Sequence, residues 1–276
     1  MITKDELVEI KKKRNTNLYY AEKEYLQHIF LYALSQKYPD DFVFKGGTCL
    51  KICYGLERAS EDLDFSTQLS IPKIKKAIEE CLEYFNRLNI KYEIYDEKEY
   101  EGNYRIEARF QAVLYNGSPQ STNTLKIDFN KNKPFYPAVK VISLLFSDVP
   151  PFALRVLEEK EILAEKVRAL ATRRQARDLY DCWMLLQNKI PLDKLLLMKK
   201  FKEEHIPQKQ LKPLALVSKV EYERDLKPLV RILPSYEQVA KDVNAALRIA
   251  LHKMAKKASK IRSTIKEDID WGLHGR

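Results

Sequence analysis

The stretch from Phe42 to Ser66, FVFKGGTCLKICYGLERASEDLDFS, concentrates residues able to do phosphate and metal chemistry. Gly46 and Gly47 are two of only seven glycines in the chain, and adjacent glycines let a backbone take positive φ and approach a ligand closely. The apolar-spaced run from Thr48 to Tyr54 predicts a short helix opening at that turn, with free N–H groups facing an anion such as a phosphate. Farther on, Asp62 to Ser66 has strand character, and strand side chains alternate faces. Asp62 and Asp64 therefore project together while Leu63 and Phe65 point into the core. Carboxylates held side by side repel unless a cation sits between them. Hard oxygen donors favour magnesium, which keeps waters and takes further ligands from substrate phosphates. A lone Asp-x-Asp is as readily the solvated tip of a hairpin. The Gly-Gly turn upstream and a third carboxylate, Asp128, on a later alternating strand turn the reading toward an active site.

A second group of chemical residues follows. In EILAEKVRAL, residues 161–170, helical spacing puts Lys166 beside Ile162, Leu163, Val167 and Leu170, at or on the apolar face. Lysine rarely goes there without a partner, so its ammonium is expected to neutralise phosphate charge beside the carboxylates; the plainer reading is a lysine snorkelling at the rim. Arg173, Arg174 and Arg177 cluster at a helix start with Asp178 and Asp181. The spacings Arg174–Asp178 and Arg177–Asp181 fit an i, i+4 ion-pair ladder. The functional reading has one Asp orienting Lys166 or a ribose hydroxyl while the arginines meet phosphates.

The elements that must position these groups are legible as periodicity. Residues 4–14 are charged with helical potential, and Leu26, Ile29, Phe30, Ala33 and Leu34 define an amphipathic helix over 18–38 that leads into a strand at Phe42–Phe44. Ile74, Ile78, Leu82 and Phe85 mark a second helix over 71–88. Strands are expected at Lys91–Tyr95, Arg105–Leu114, Leu125–Phe129 and Val141–Phe146, with Lys126 and Asp128 facing away from the core. Pro150-Pro151 marks a boundary, beyond which helices are expected at 157–172, 174–188, 192–204 and from Tyr236 to about Ser259. The layout is α+β: a catalytic domain over 1–150 and a helical domain over 151–276.

Composition narrows the class. At 276 residues, 45% hydrophobic and 32% charged, the chain reads as soluble and globular, without an apolar run long enough for a membrane span or a signal peptide, and the expected location is the cytoplasm. Cys49, Cys53, Cys81 and Cys182 sit among apolar residues and read as buried free thiols. Residues 1–150 hold 22 Lys+Arg and 22 Asp+Glu, so the net charge of +10 lies entirely in residues 151–276, with 27 and 17. A basic half beside a carboxylate site points to a polyanionic partner, nucleic acid first. Lys253, Lys256, Lys257, Lys260 and Arg262 form its densest cluster.

Assembled, the motifs Lys45-Gly-Gly-Thr48, Arg58-x-Ser60-x-Asp62-x-Asp64, Lys126-Ile-Asp128, Ala164-Glu-Lys166 with Ala169-Leu170, and Arg177-Asp178-x-x-Asp181 resemble the AbiEii-type nucleotidyltransferase family. That family is the toxin half of type IV toxin–antitoxin systems and a branch of the polymerase-β-like superfamily. The resemblance implies a polymerase-β-like core with a mixed or antiparallel sheet, an all-helical C-terminal domain, and transfer of a nucleotide from an NTP with release of pyrophosphate. It implies RNA, especially the tRNA acceptor end, as substrate, and a cognate antitoxin as partner. Asp62 and Asp64 would hold magnesium, or manganese in its place, with Asp128 completing a two-metal site or acting as base. Lys45, Gly46, Gly47, Thr48, Arg58, Ser60, Lys126 and Lys166 would bind the nucleotide. Gly-Gly-Thr stands where many superfamily members have Gly-Ser, which leaves the phosphate-contacting hydroxyl open between Thr48 and Ser60. Two rivals remain: a non-catalytic RNA- or partner-binding module on a degenerate fold, and a nucleotidyltransferase acting on a protein or small molecule. The presence of all three carboxylates and Lys166 argues against the first.

Overall fold

A mixed sheet organises the first unit of the computed structural model, which describes residues 1–203, 205 and 217–250. Helices α1 (Lys4–Arg14) and α2 (Leu18–Lys37) lead into strand β1 (Phe42–Lys45), the nine-residue helix α3 (Gly46–Tyr54), strand β2 (Leu63–Thr67) and helix α4 (Ile71–Arg87). Strands β3 (Lys91–Tyr100), β4 (Asn103–Gln111), β5 (Asn123–Asn130), β6 (Pro137–Ile142) and β7 (Phe152–Leu157) complete the unit. Across the sheet the order is β3-β4-β5-β2-β1-β7-β6. The β2–β5 and β1–β7 pairs are parallel and the others antiparallel.

Alternation dictates the two faces. Phe42 and Phe44 of β1, Leu63 and Phe65 of β2, Ile127 and Phe129 of β5 and Ile106 of β4 are all buried on one face, where Phe65 stacks on Phe129 with centroids 5.3 Å apart. Phe30 of α2 and Phe85 of α4 meet this face through Phe65 and Phe110. Truncating one of these rings to alanine would cost about 3–5 kcal/mol, so the faces cannot exchange.

Helix α2 departs from the amphipathic expectation, because its second face is buried as well. Glu22, Lys23, Glu24, Gln27 and His28 are all buried there. Each has partners that periodicity cannot reveal. Glu22 accepts from the Leu114 N–H and the Asn123 amide, and Glu24 takes Arg14 at 2.8 Å and Lys51 at 2.9 Å. Burial would raise the Glu24 carboxyl, but these two cations hold it below the usual carboxylate range.

The Pro150-Pro151 pair does not end this unit. Phe152, Leu154 and Val156 alternate with Ala153 and Arg155 to form β7, which joins the sheet beside β1. The compact units divide between Glu158 and Glu159, eight residues past the expected boundary. The strand expected at Val141–Phe146 is instead Pro137–Ile142, paired along its whole length with β7. All four cysteines are free, with Cys49, Cys81 and Cys182 buried and Cys53 half-buried.

The second unit, from Glu159 onward, is helical. Helices α5 (Glu159–Thr172), α6 (Ala176–Gln187), α7 (Lys194–Glu203) and α8 (Lys219–Leu226) are followed by helical residues 236–250. Helix α6 packs on α5 and α8, and α5 also on α7. A buried ion triplet ties α7 to α5: the Lys200 ammonium, 1% exposed, reaches Glu161 at 2.6 Å and Glu165 at 3.0 Å. No helix among the described residues is long and apolar enough to cross a membrane. The cluster Lys253, Lys256, Lys257, Lys260 and Arg262 lies outside the described residues.

Candidate active site

Strand register assembles a row of charges on the sheet face opposite the phenylalanines. Lys45 of β1 lies opposite Asp64 of β2, Asp64 beside Asp128 of β5, and Asp128 opposite Arg105 of β4. Residues in register share a face, so four adjacent strands present a cation, two anions and a cation in a line. Asp62 stands immediately before β2 rather than within it, part-exposed, with the Lys126 ammonium at 3.8 Å. Lys126 is thus drawn toward Asp62 from two residues before Asp128 on β5.

The glycine pair makes this arrangement sterically possible. Gly46 has φ +78°, and a Cβ there would collide with the Asp64 carboxylate; a Cβ on Gly47 would collide with the Arg58 guanidinium and the Ser60 hydroxyl. The start of α3 is therefore packed against the acid, the arginine and the serine of the Arg58–Asp64 segment. Besides leaving the helix start open to a ligand, as adjacent glycines can, the pair makes room for the chain's own Asp64, Arg58 and Ser60.

Thr48 and Ser60 differ in their commitments. The Thr48 side chain is fully buried, and its hydroxyl lies 2.5 Å from the Asp62 carbonyl and 2.9 Å from the Ser60 hydroxyl. Thr48 thus ties α3 to the acidic loop, while Ser60 stays half-buried. From the other side, the buried Gln27 amide of α2 donates to the Ser60 carbonyl at 3.2 Å and the Glu61 carbonyl at 2.9 Å, and Lys23 reaches the Glu61 carboxylate at 3.1 Å. Asp62 therefore rides on a loop fixed at both edges. Spacing alone does not mark Gln27 and Lys23 as site residues; the one signal is a run of polar residues inside an otherwise apolar helix.

Asp128 is buried and engaged. Arg105 donates its Nε–H to Asp128 Oδ1 at 2.5 Å, and the Tyr100 hydroxyl donates to the same oxygen at 3.3 Å. The guanidinium also lies 5.6 Å from the Tyr100 ring centroid. Neither Arg105 nor Tyr100 was singled out from sequence, because their bearing on Asp128 arises only when β3, β4 and β5 pair. Among the described residues, no group of three or more His, Cys, Asp or Glu side chains is placed to hold a metal ion. Asp62 and Asp64 remain a hard-oxygen pair beside a helix N-terminus, a donor set that fits one magnesium completed by waters and phosphate oxygens.

In the helical unit, Lys166 lies between two carboxylates, 3.0 Å from Asp178 Oδ1 and 2.8 Å from Asp181 Oδ2, both acids fully buried. Arg173 adds a two-pronged contact to Asp178, at 2.7 and 2.9 Å. Burial would raise the Asp178 carboxyl, but Lys166 and Arg173 outweigh it and hold the group below the ordinary carboxylate range. The i, i+4 ladder is not what forms. Arg174 takes φ +49° in the break between α5 and α6, off the helix, and the two acids turn inward to Lys166. Arg174 is exposed and Arg177 half-buried.

Comparison with known proteins agrees with this fold. MenT4, a nucleotidyltransferase toxin from Mycobacterium tuberculosis H37Rv, superposes with TM-score 0.67 at 18% identity, covering 89% of each chain. JHP933 from Helicobacter pylori gives 0.57 at 22% identity, over 89% of this chain and 97% of its own. A putative nucleotidyltransferase from H. pylori gives 0.55 at 24%, over 85% and 96%. At these identities the likeness is one of fold. A search of curated proteins returned no match. The family model for the nucleotidyl transferase AbiEii toxin of type IV toxin–antitoxin systems matches residues 29–260, which takes in the charge row, the glycine turn and the Lys166 cluster, and the chain belongs to that family.

Proposed function

We propose that the protein is a magnesium-dependent transferase that moves a nucleotide from an NTP onto RNA, with the acceptor end of tRNA as the substrate class. The observation that carries this reading is the acidic pair Asp62 and Asp64, with Asp64 packed against the start of α3 and in register with Lys45 and Asp128. In this reading the acceptor hydroxyl attacks the α-phosphorus, the bond to the bridging oxygen of the β-phosphate breaks, and pyrophosphate leaves. Magnesium bound to Asp62 and Asp64 would neutralise phosphate oxygens and orient the triphosphate.

The chain's own groups then have distinct tasks. The amides opening α3 and the Ser60 hydroxyl would donate to phosphate oxygens, with Lys45 and Arg58 adding positive charge. Thr48 is spent on holding the loop and serves only as a positioning residue. Lys166 would keep α5 and α6 in place through Asp178 and Asp181. Arg173, Arg174 and Arg177, with the basic segment from Lys253 to Arg262, would grip the RNA backbone, consistent with a net charge of +10 concentrated beyond residue 150. A cognate antitoxin is the partner expected of the family.

The test is incubation with each α-labelled NTP, magnesium and total RNA. Label should enter RNA. Absence of transfer with every NTP would refute the reading, and label appearing in protein alone would move the acceptor to a different class.

A further inference from the structure

Beyond its place in the charge row, the Arg105–Asp128 pair has no task in the nucleotidyl-transfer reading. Arg105 is held at three points: by the β4–β5 ladder directly opposite Asp128, by Asp128 Oδ1 at 2.5 Å, and by the Tyr100 ring. Tyr100 adds its own hydroxyl to the same oxygen. The acid is buried while Arg105 is one-third exposed, and a charge-assisted contact to a buried carboxylate is stronger than one between neutral groups. A divalent ion ligated through Oδ1 would have to displace two donors, and one ligated through Oδ2 would sit against a fixed positive charge on the same carboxylate.

We propose that Arg105 is a positioning residue that withholds Asp128 from metal, so that the site takes one divalent cation on Asp62 and Asp64 instead of two. The inference rests on the magnesium reading of the acidic pair. The contact distances agree with it. Arg105 offsets Asp128 at 2.5 Å, a closer contact than Lys126 makes to Asp62, at 3.8 Å. The guanidinium occupies the electrostatic place that a second metal would fill. Arginine suits this use because it cannot lose its proton near neutral pH and its planar fork locks onto a carboxylate.

The experiment counts Mn2+ bound per full-length protein, by electron paramagnetic resonance of the free ion. The wild type should bind one ion. Arg105→Gln, which frees Asp128, should bind two, whereas Arg105→Lys, which keeps the charge, should stay at one. Asp128→Asn should also bind one ion, with affinity within about threefold of wild type, well short of the tenfold or more expected when a supporting or ligating group is lost. Should Arg105→Gln fail to fold, judged by its melting curve, the Asp128→Asn affinity decides. Two ions on the wild type, one on folded Arg105→Gln, or a tenfold weakening in Asp128→Asn would overturn the assignment to Arg105 while leaving the magnesium reading intact. No ion on the wild type would instead sink the magnesium reading, and this inference with it.

Discussion

Replacing Gly46 with alanine separates two effects that usually arrive together. The residue sits at φ +78°, where a side chain costs roughly 1–2 kcal/mol. Its new Cβ would also strike the Asp64 carboxylate, which must then move by the order of an ångström. Gly55, the cap that ends α3, provides the control: it has φ +74° and nothing within 4 Å of where a Cβ would stand, so alanine there brings strain without collision. Strain alone should cost both variants about 2–8 °C of melting temperature, taking the shift expected per kcal/mol for a unit of this size. Only Gly46→Ala should lose transfer activity, by about a hundredfold, the scale on which a 1 Å misplacement of a catalytic group acts. Circular dichroism melts beside label transfer at saturating NTP would measure the two effects. Equal activity losses in the two variants would mean that backbone strain, not the approach of α3 to Asp64, explains the glycine, and full activity in Gly46→Ala would remove Asp64 from the site.

Other expectations follow from the buried charges. Lys166→Met leaves Asp178 and Asp181 buried without their ammonium and should cost about 3–5 kcal/mol in denaturant titration, with Asp181→Asn in the same background recovering part of the loss. The Asp178 carboxyl is depressed in the folded state, so its contribution is present above the unfolded value near 3.9 and is lost as pH falls through the lower folded value. Asp178→Asn should therefore flatten the acid limb of stability below about pH 4 and leave the neutral region parallel to wild type. Gln27→Leu removes the donor that fixes the Ser60 and Glu61 carbonyls and should cost about 1–3 kcal/mol. Its kcat should fall more than its NTP affinity, since the loop carrying Asp62 is what loosens; a pure affinity loss would contradict that role.

What the sequence conveyed and what it withheld divide along physical lines. Period-2 alternation was enough to find Asp64 and Asp128 on one face and Leu63, Phe65, Ile127 and Phe129 on the other, because a strand with one buried face has little freedom of register. The glycine pair is conspicuous for its rarity, but its contact with Asp64, Arg58 and Ser60 could not be read, since which atoms crowd a glycine depends on a segment eleven or more residues away. Arg105 and Tyr100 were invisible as site residues because Asp128 meets them only through the β3–β4–β5 pairings. The second buried face of α2 escaped for a related reason: polar residues look solvated until their partners on other elements are known. Likewise, the helical spacing of Arg174 and Asp178 suggested a ladder, and a single left-handed residue between α5 and α6 undid it.

Asp62 and Asp64 stand at the centre of the proposed magnesium-dependent nucleotide transfer. The most direct test of their role is the initial rate of label transfer from NTP to RNA by Asp64→Asn protein whose melting temperature matches wild type. Removing one acid from a metal-binding pair forfeits several kcal/mol of transition-state stabilisation, so the rate should fall by about a thousandfold, and wild-type activity should vanish on chelation of magnesium. Transfer by Asp64→Asn at the wild-type rate, with or without magnesium, would contradict the account.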